Sequence, residues 1–453
     1  MYDRALMNWG EVQGHKPMTD MLLPTDRHAS PIERANLVGA TLFFMVFAYY
    51  WITLEPFVSR GAVSFASPSA GASNTLSQIV GLGLFGAVLL RALLSPARAS
   101  IGQPLVLLLP LLFWLIWTSV FADYPALAMR RLVLVVVTVL CASSVLLMPR
   151  SQEQFARLLA LAVGTVVAIS YLGVIALPGL AIHQTTDVSE QALAGAWRGH
   201  FLHKNDASSA MVVAVFVGLY CRERWWRLGG IALVILAAFF LYKAGSKTTL
   251  GLLPFVFAVG WLFERAPRTG AILAISGVVA FNFVAVGSTL WPGVHDFIAQ
   301  LGVDASFTDR VDIWKLAVDA AASRPWTGYG LQSFWQTESL VYSGGQIETW
   351  AINASHAHNG YIEVWLAAGI PAVVLTLIWL LVLPAIHAAK AFHGGNDPAL
   401  TRLFTRIWLY VMFANVLEST FFSNSGPLWF TLLLAVFGLR NQAVASLVIS
   451  PTR

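Results

Sequence analysis

The sequence predicts an all-α polytopic membrane protein, with about twelve transmembrane helices and one large extracytoplasmic loop containing a short amphipathic helix. Three observations predict it. Hydrophobic residues make up 57% of the 453 and charged residues 11%, with mean hydropathy +0.69, whereas a soluble domain carries about 25% charged residues. Apolar runs near the roughly 20 residues that cross a hydrocarbon core recur along the chain. One stretch, 292–359, breaks that rhythm and stays polar. The 35 Gly and 20 Pro are dispersed, which excludes collagen-like and disordered classes. Cys141 and Cys221 both fall inside apolar runs, which excludes a disulfide framework or a cysteine-rich metal site.

Taken in order, residues 1–34 are polar and lack a hydrophobic signal-like core, so they read as a cytoplasmic tail. Spans one to nine occupy 35–291, centred on 36–55, 75–95, 104–121, 132–149, 156–178, 206–221, 229–243, 248–263 and 270–291. The loop 292–359 follows, then spans ten to twelve within 360–440 (360–386, 404–421 and 427–440), and a second cytoplasmic tail over 441–453. Lys and Arg set the orientation, because cytoplasmic loops collect them. With the N-terminus inside, eighteen of the 28 lie on the inner side, which puts both termini in the cytoplasm and the large loop on the outer face of the membrane. The inner positives, and the net charge of +5, are thereby explained as topology determinants, and no nucleic-acid partner is expected. The outer ones run against the rule and mark where function is to be sought.

Two outer segments concentrate polar chemistry. Within the large loop, 308–324 places Val311, Trp314, Val318 and Ala321 at helical spacing, with Asp309 in the first turn and Pro325 just beyond the end. This predicts an amphipathic helix on the membrane surface or capping a cavity. The loop ends in Ser355-His356-Ala357-His358-Asn359-Gly360 and runs straight into a span. The shorter loop 179–205 carries Trp197-Arg198-Gly199-His200 and then His203-Lys204-Asn205-Asp206, also entering a span. Both clusters thus sit at helix N-termini near the headgroup level, where free N–H groups and the helix dipole favour anions such as a phosphate or pyrophosphate. A zinc site is the competing reading of the four histidines, but His-x-His and His-x-x-His with no cysteine and little carboxylate is a weak pattern, so no metal is assigned. The plain alternative for His200 and His356 is a loop residue satisfied by backbone carbonyls.

His358-Asn359, nine residues, then Gly369-Ile370-Pro371 resembles the His-Asn-x9-Gly motif of the O-antigen ligase and O-antigen polymerase (Wzy-C) superfamily. Arg310-Val311-Asp312-Ile313-Trp314, Arg324-Pro325-Trp326-Thr327-Gly328-Tyr329-Gly330, and Arg198 ahead of His203-Lys204-Asn205 extend the likeness. It is most similar to the ExoQ-type exopolysaccharide polymerases, although Ala372 stands where the family often has Gly, Thr or Tyr, and Leu202 where a glycine is usual.

The resemblance implies a metal-independent inverting glycosyltransferase with no cofactor. Its donor would be an oligosaccharide on undecaprenyl pyrophosphate, and its acceptor another repeat unit (polymerase) or lipid A-core or another molecule (ligase). Membrane lipids and a chain-length regulator protein are the further partners it implies. In that scheme His358 is the base for the acceptor hydroxyl, since histidine titrates near neutrality. Arg198 and Arg310 hold the pyrophosphate, because guanidinium presents a planar fork to phosphate oxygens. Lys204, His203, Asn205, Lys247, Arg130, Arg131, Asn359 and Glu363 are the expected substrate-binding residues, the cations among them having lipid-headgroup anchoring as the alternative. Trp197, Trp314, Trp326 and Trp350 are candidates for stacking on sugars. The rival class is a lipid-linked sugar flippase or a secondary transporter, which would carry charge through the depth of the bundle.

Overall fold

The computed structural model describes residues 31–54, 56–58, 75–95, 106, 108–187, 191–300, 310–341, 350–394, 397–423 and 426–444. Among them the regular elements are helical, apart from one isolated bridge between Ile182 and Trp197. A helix stands at each expected position: α1 (Pro31–Trp51), α2 (Thr75–Leu93), α3 (Leu109–Val120), α4 (Pro125–Val145), α5 (Gln152–Ala176), α6 (Lys204–Arg224), α7 (Arg227–Ala244), α8 (Lys247–Arg265) and α9 (Pro267–Leu290). Two shorter helices, α10 (Pro292–Gln300) and α11 (Arg310–Ser323), belong to the large loop. The last three are α12 (Gly360–His393), α13 (Pro398–Ala414) and α14 (Pro427–Val444). Seven of the described helices, α2, α4, α5, α7, α8, α9 and α12, are long and apolar enough to cross a membrane, which makes the protein a polytopic membrane protein; α1 and α3 contain shorter apolar helices. Most of the two expected cytoplasmic tails, 1–30 and 445–453, lies outside the described residues, as do Thr308 and Asp309.

The three remaining helices differ for a physical reason. α6, α13 and α14 bury residues in unbroken runs, such as Ala207 to Gly218 and Leu428 to Leu439, so every face is covered by protein. A helix buried all round owes its environment to its neighbours rather than to lipid. α6 packs on α5, α7 and α13, and α13 packs on α14 and α8. At the end remote from the large loop these inner helices are tied by charge: Arg224 pairs with Asp397, and Arg402 bridges Glu223 and Glu264. Some of the positives expected on the inner side therefore join helices.

α12 is broken in mid-course, and the break explains the motif glycine. Ala368 and Gly369 leave helical geometry, with Gly369 at φ +76°, a backbone state in which L side chains are strained. A Cβ there would also come within 2.0 Å of the Trp326 carbonyl oxygen. The break lies about 14 Å along the helix from Gly360 at 1.5 Å per residue, where a bare backbone group in lipid would be costly. Loop residues 325–330 re-enter and satisfy it. The N–H groups of Tyr329 and Gly330 donate to the carbonyls of Leu366 and Ala367 at 2.9 and 2.8 Å, and Ile370 donates to the Pro325 carbonyl at 2.8 Å. Trp114 of α3 supplies the fourth bond, Nε1 to the Ala368 carbonyl at 2.7 Å.

α11 forms as the pattern predicts, with Trp314 and Ala321 of the expected stripe buried but the centre of the buried face shifted toward Ile313 and Ala317. Ile313, Trp314, Ala317 and Ala321 are buried, while Val311 and Val318 are only partly covered. The helix packs against α12 and closes a separate small core with Trp335, Ile362, Leu366 and Val416, rather than lying free on a membrane surface.

Candidate active site

Three of the sequence-predicted residues, from three distant segments, meet at one carboxylate that lies outside the sequence motifs: Glu418. Asn205 Nδ2 donates to Glu418 Oε1 at 2.8 Å, and Arg310 Nη2 to the same oxygen at 3.0 Å. His358 Nδ1 lies 3.5 Å from Glu418 Oε2. Each partner is aimed by local structure. Asn205 is in the first turn of α6, whose N-cap is His203: its Nδ1 accepts the Asn205 N–H at 3.1 Å. Arg310 opens α11. Glu418 was expected inside a span over 404–421, but α13 ends at Ala414 and Glu418 sits on the turn that follows. Asn415 organises that turn, its side chain donating to the Val411 carbonyl and exchanging hydrogen bonds with Thr420.

His358 precedes the N-cap of α12 in the left-handed region, φ +50°, an uncommon state for a non-glycine that costs on the order of 1–3 kcal/mol and tends to occur at functional sites. The surroundings enforce it. Asn359 is fully buried; its Oδ1 caps the N–H groups of Tyr361 and Ile362, while Nδ2 donates to Asn282 Oδ1 and to the Val416 carbonyl. Gly360 donates to the Asn415 carbonyl at 2.7 Å, and a Cβ there would come within 2.4 Å of Asn415 Oδ1. Glu363, buried in the first turn of α12, accepts the Ala357 N–H at 2.7 Å and Trp335 Nε1–H at 3.0 Å. Asn359 and Glu363 thus spend their polar atoms on holding the loop. His358 remains 31% exposed and Arg310 12%, so the imidazole is the more accessible of the two.

His356 stands behind it, ring centroids 4.0 Å apart, and its Nδ1 accepts the His358 N–H at 3.2 Å. Burial, aided by His358, Arg310 and His203 and opposed by Glu418, pushes this imidazole down to about 3. Burial alone would raise Glu418, but hydrogen bonding by His358 and the charge of Arg310 override it and hold the carboxyl at about 2. A ring neutral when folded and protonated when unfolded makes stability rise with pH between the two values. Thermal melting of the solubilised protein should therefore rise from about pH 3 to 6.5 on account of His356, with a further acid loss from Glu418 between 4.5 and about 2. His356→Gln should flatten the upper part of that profile; an unchanged slope would assign it to another group.

The other predicted residues fall in two neighbouring places. Arg198 is buried, with Nη1 donating to the Leu202 carbonyl at 3.3 Å, in a folded loop whose backbone bonds to Ala181 and His183. Lys204 reaches the Gly245 carbonyl at 3.5 Å, in the turn that leads to the exposed Lys247 at the start of α8. Arg131 lies within electrostatic reach of Glu363, and Arg130 is exposed beside Gln78. The Arg130-Arg131 pair was expected just outside a span; α4 begins earlier, at Pro125, and carries both in its second turn. His200 is held between the Trp51 carbonyl and Ser170 Oγ, both 2.9 Å away, and burial pushes it down. Of the tryptophans, Trp314 is wholly buried core, Trp197 is enclosed by Tyr171, Phe239 and Phe240, and Trp326 is exposed. Among the described residues no three His, Cys, Asp or Glu side chains are grouped to hold a metal ion.

The sequence comparisons bear out the family resemblance. Residues 231–377, which include Arg310 and His358, match the model of the O-antigen ligase family, Wzy_C. The chain is 23% identical over 277 residues to the General O-oligosaccharyltransferase of Acinetobacter baylyi (strain ATCC 33305 / BD413 / ADP1), covering 56% of this chain and 46% of that protein. It is 25% identical over 182 residues to the Exopolysaccharide production protein ExoQ of Rhizobium meliloti (strain 1021), covering 38% and 40%. The chain therefore spans less than half the length of these curated relatives.

Proposed function

We propose that the chain is a metal-independent, inverting glycosyltransferase of the periplasmic face of a bacterial inner membrane. It transfers an oligosaccharide from undecaprenyl pyrophosphate to a hydroxyl of another lipid-linked repeat unit, polymerising exopolysaccharide or O-antigen repeats. The observation that carries the reading is the convergence of His358, Arg310 and Asn205 on Glu418 at three helix N-termini. Glu418 beside Nδ1 keeps the proton on that nitrogen and leaves Nε2 as the base, the orienting logic of a base with a supporting carboxylate. Nε2 accepts the acceptor hydroxyl's proton as that oxygen bonds to the anomeric carbon from the face opposite the leaving group. The bond from the anomeric carbon to the pyrophosphate oxygen breaks, and configuration inverts. The departing pyrophosphate takes up the charge next to Arg310, with Arg198, Lys204 and Lys247 as further cations on its path. Asn359 and Glu363 act by holding the His358 loop, and Arg131 acts through Glu363.

The ion pairs of the described residues gather at helix ends, which favours an interfacial enzyme over a flippase or transporter. The general O-oligosaccharyltransferase among the similar proteins supports a second reading, ligase transfer to lipid A-core or another acceptor. Reconstitution with a lipid-linked repeat unit tests both. A ladder of products on the carrier is expected, and transfer of single units to an added acceptor would favour the ligase. Activity should survive EDTA; its loss and restoration by a divalent cation would remove the metal-independent mechanism.

A further inference from the structure

A cavity of about 440 Å³ opens between α11, the turn joining α3 to α4, and residues 329–340. Its volume falls within the roughly 300–1,000 Å³ of small-molecule sites. It is separate from the Glu418 cluster. Leu316 and Ser323, which line it on α11, lie about 9 and 20 Å along the helix from Arg310 at 1.5 Å per residue. The lining combines the carboxylates of Asp123 and Asp319, the hydroxyls of Ser323 and Ser333, and the rings of Tyr329 and Phe334. This chemistry repels a phosphate. Arg324 lies beside the cavity, but its guanidinium is paired with Asp123 at 2.9 Å and stacked over Tyr329 at 4.5 Å, which leaves Asp319 as the net charge. Carboxylates and hydroxyls accept hydrogen bonds from many-hydroxyl ligands, and an aromatic face covers the apolar side of a sugar ring.

We infer that this cavity is a saccharide subsite that holds sugar rings of the oligosaccharide while its reducing end lies at Glu418. The inference rests on the glycosyl-transfer reading above. The cavity is tied to the base through the chain itself: Phe334 lines it, and the adjacent Trp335 donates to Glu363, which holds Ala357. An occupied cavity would thus brace the loop that presents His358.

The test uses the full chain in detergent and two probes: the oligosaccharide freed by mild acid from the host's own lipid-linked repeat, and inorganic pyrophosphate. Titration by saturation-transfer NMR should show saccharide binding weakened about tenfold or more in Leu316→Trp, which fills the cavity, and in Asp319→Ala, whose side chain is exposed. Pyrophosphate binding should not change in either variant. Saccharide affinity unchanged in both variants, or saccharide displaced by pyrophosphate, would overturn the subsite. In the transfer assay, a KM raised for the lipid-linked donor supports the subsite, and one raised for the acceptor alone would overturn its assignment to the donor oligosaccharide. Cavity-dependent binding together with normal transfer by His358→Ala would sink the base assignment and leave the cavity. Transfer lost in His358→Ala, with neither KM nor saccharide affinity altered by the two cavity variants, would remove the cavity alone.

Discussion

His358→Ala should lower glycosyl transfer by about 10²–10⁴-fold, the usual worth of a positioned base, while the lipid-linked donor still binds. The separation follows from geometry. The imidazole faces outward beside Glu418 and makes no demand on the pyrophosphate, whose cations come from other segments. Donor affinity and product formation, measured on the same preparation, check this. Because His358 occupies a left-handed backbone state, His358→Asn, a residue that tolerates that state, is the companion variant. It should be equally inactive but fold as the wild type does. Full transfer by either variant would end the assignment of the base.

Glu418→Gln and Arg310→Lys should fail in different ways. The glutamine keeps an oxygen for Asn205 and Arg310 but can turn an N–H toward His358, favouring the wrong tautomer. Such a loss of an orienting carboxylate has cost up to about 10⁴-fold elsewhere. Donor binding should hold or tighten, since the partner of Arg310 at 3.0 Å loses its negative charge. Arg310→Lys retains charge but not the bidentate fork, so donor affinity and turnover should fall together. A Glu418→Gln enzyme with wild-type turnover would reduce Glu418 to a structural anchor. Wild-type donor affinity in Arg310→Lys would pass the pyrophosphate role to Arg198.

Much of this site was legible because its motif residues do local backbone work. The asparagine of His-Asn-x9-Gly caps a helix and the glycine breaks it, and both needs are written in residue type and spacing. Glu418 was not legible in the same way. A lone carboxylate near the end of the run 404–421 was absorbed into an apolar average, although an ionisable residue in a span is a functional-site signal in its own right. The face of α11 was read in part: Trp314 and Ala321 are buried as expected, but the neighbouring stripe of Ile313 and Ala317 makes a closer approach than Val311 and Val318. The clamp of Trp335 and Glu363 on Ala357 joins segments whose pairing depends on loop paths that periodicity does not encode.

The interrupted helix has a consequence for anyone recombining parts of such proteins. Residues 325–330 and 366–370 supply each other's missing bonds, so neither is a self-sufficient module, and the boundary between soluble loop and membrane span is not a seam. A chimera that takes residues 310–341 from one parent and α12 from another would have to rebuild three backbone partnerships in mid-helix. The natural cassette for exchange is therefore the continuous piece from α11 through residue 370, transplanted with the tryptophan at position 114 that closes its last bond.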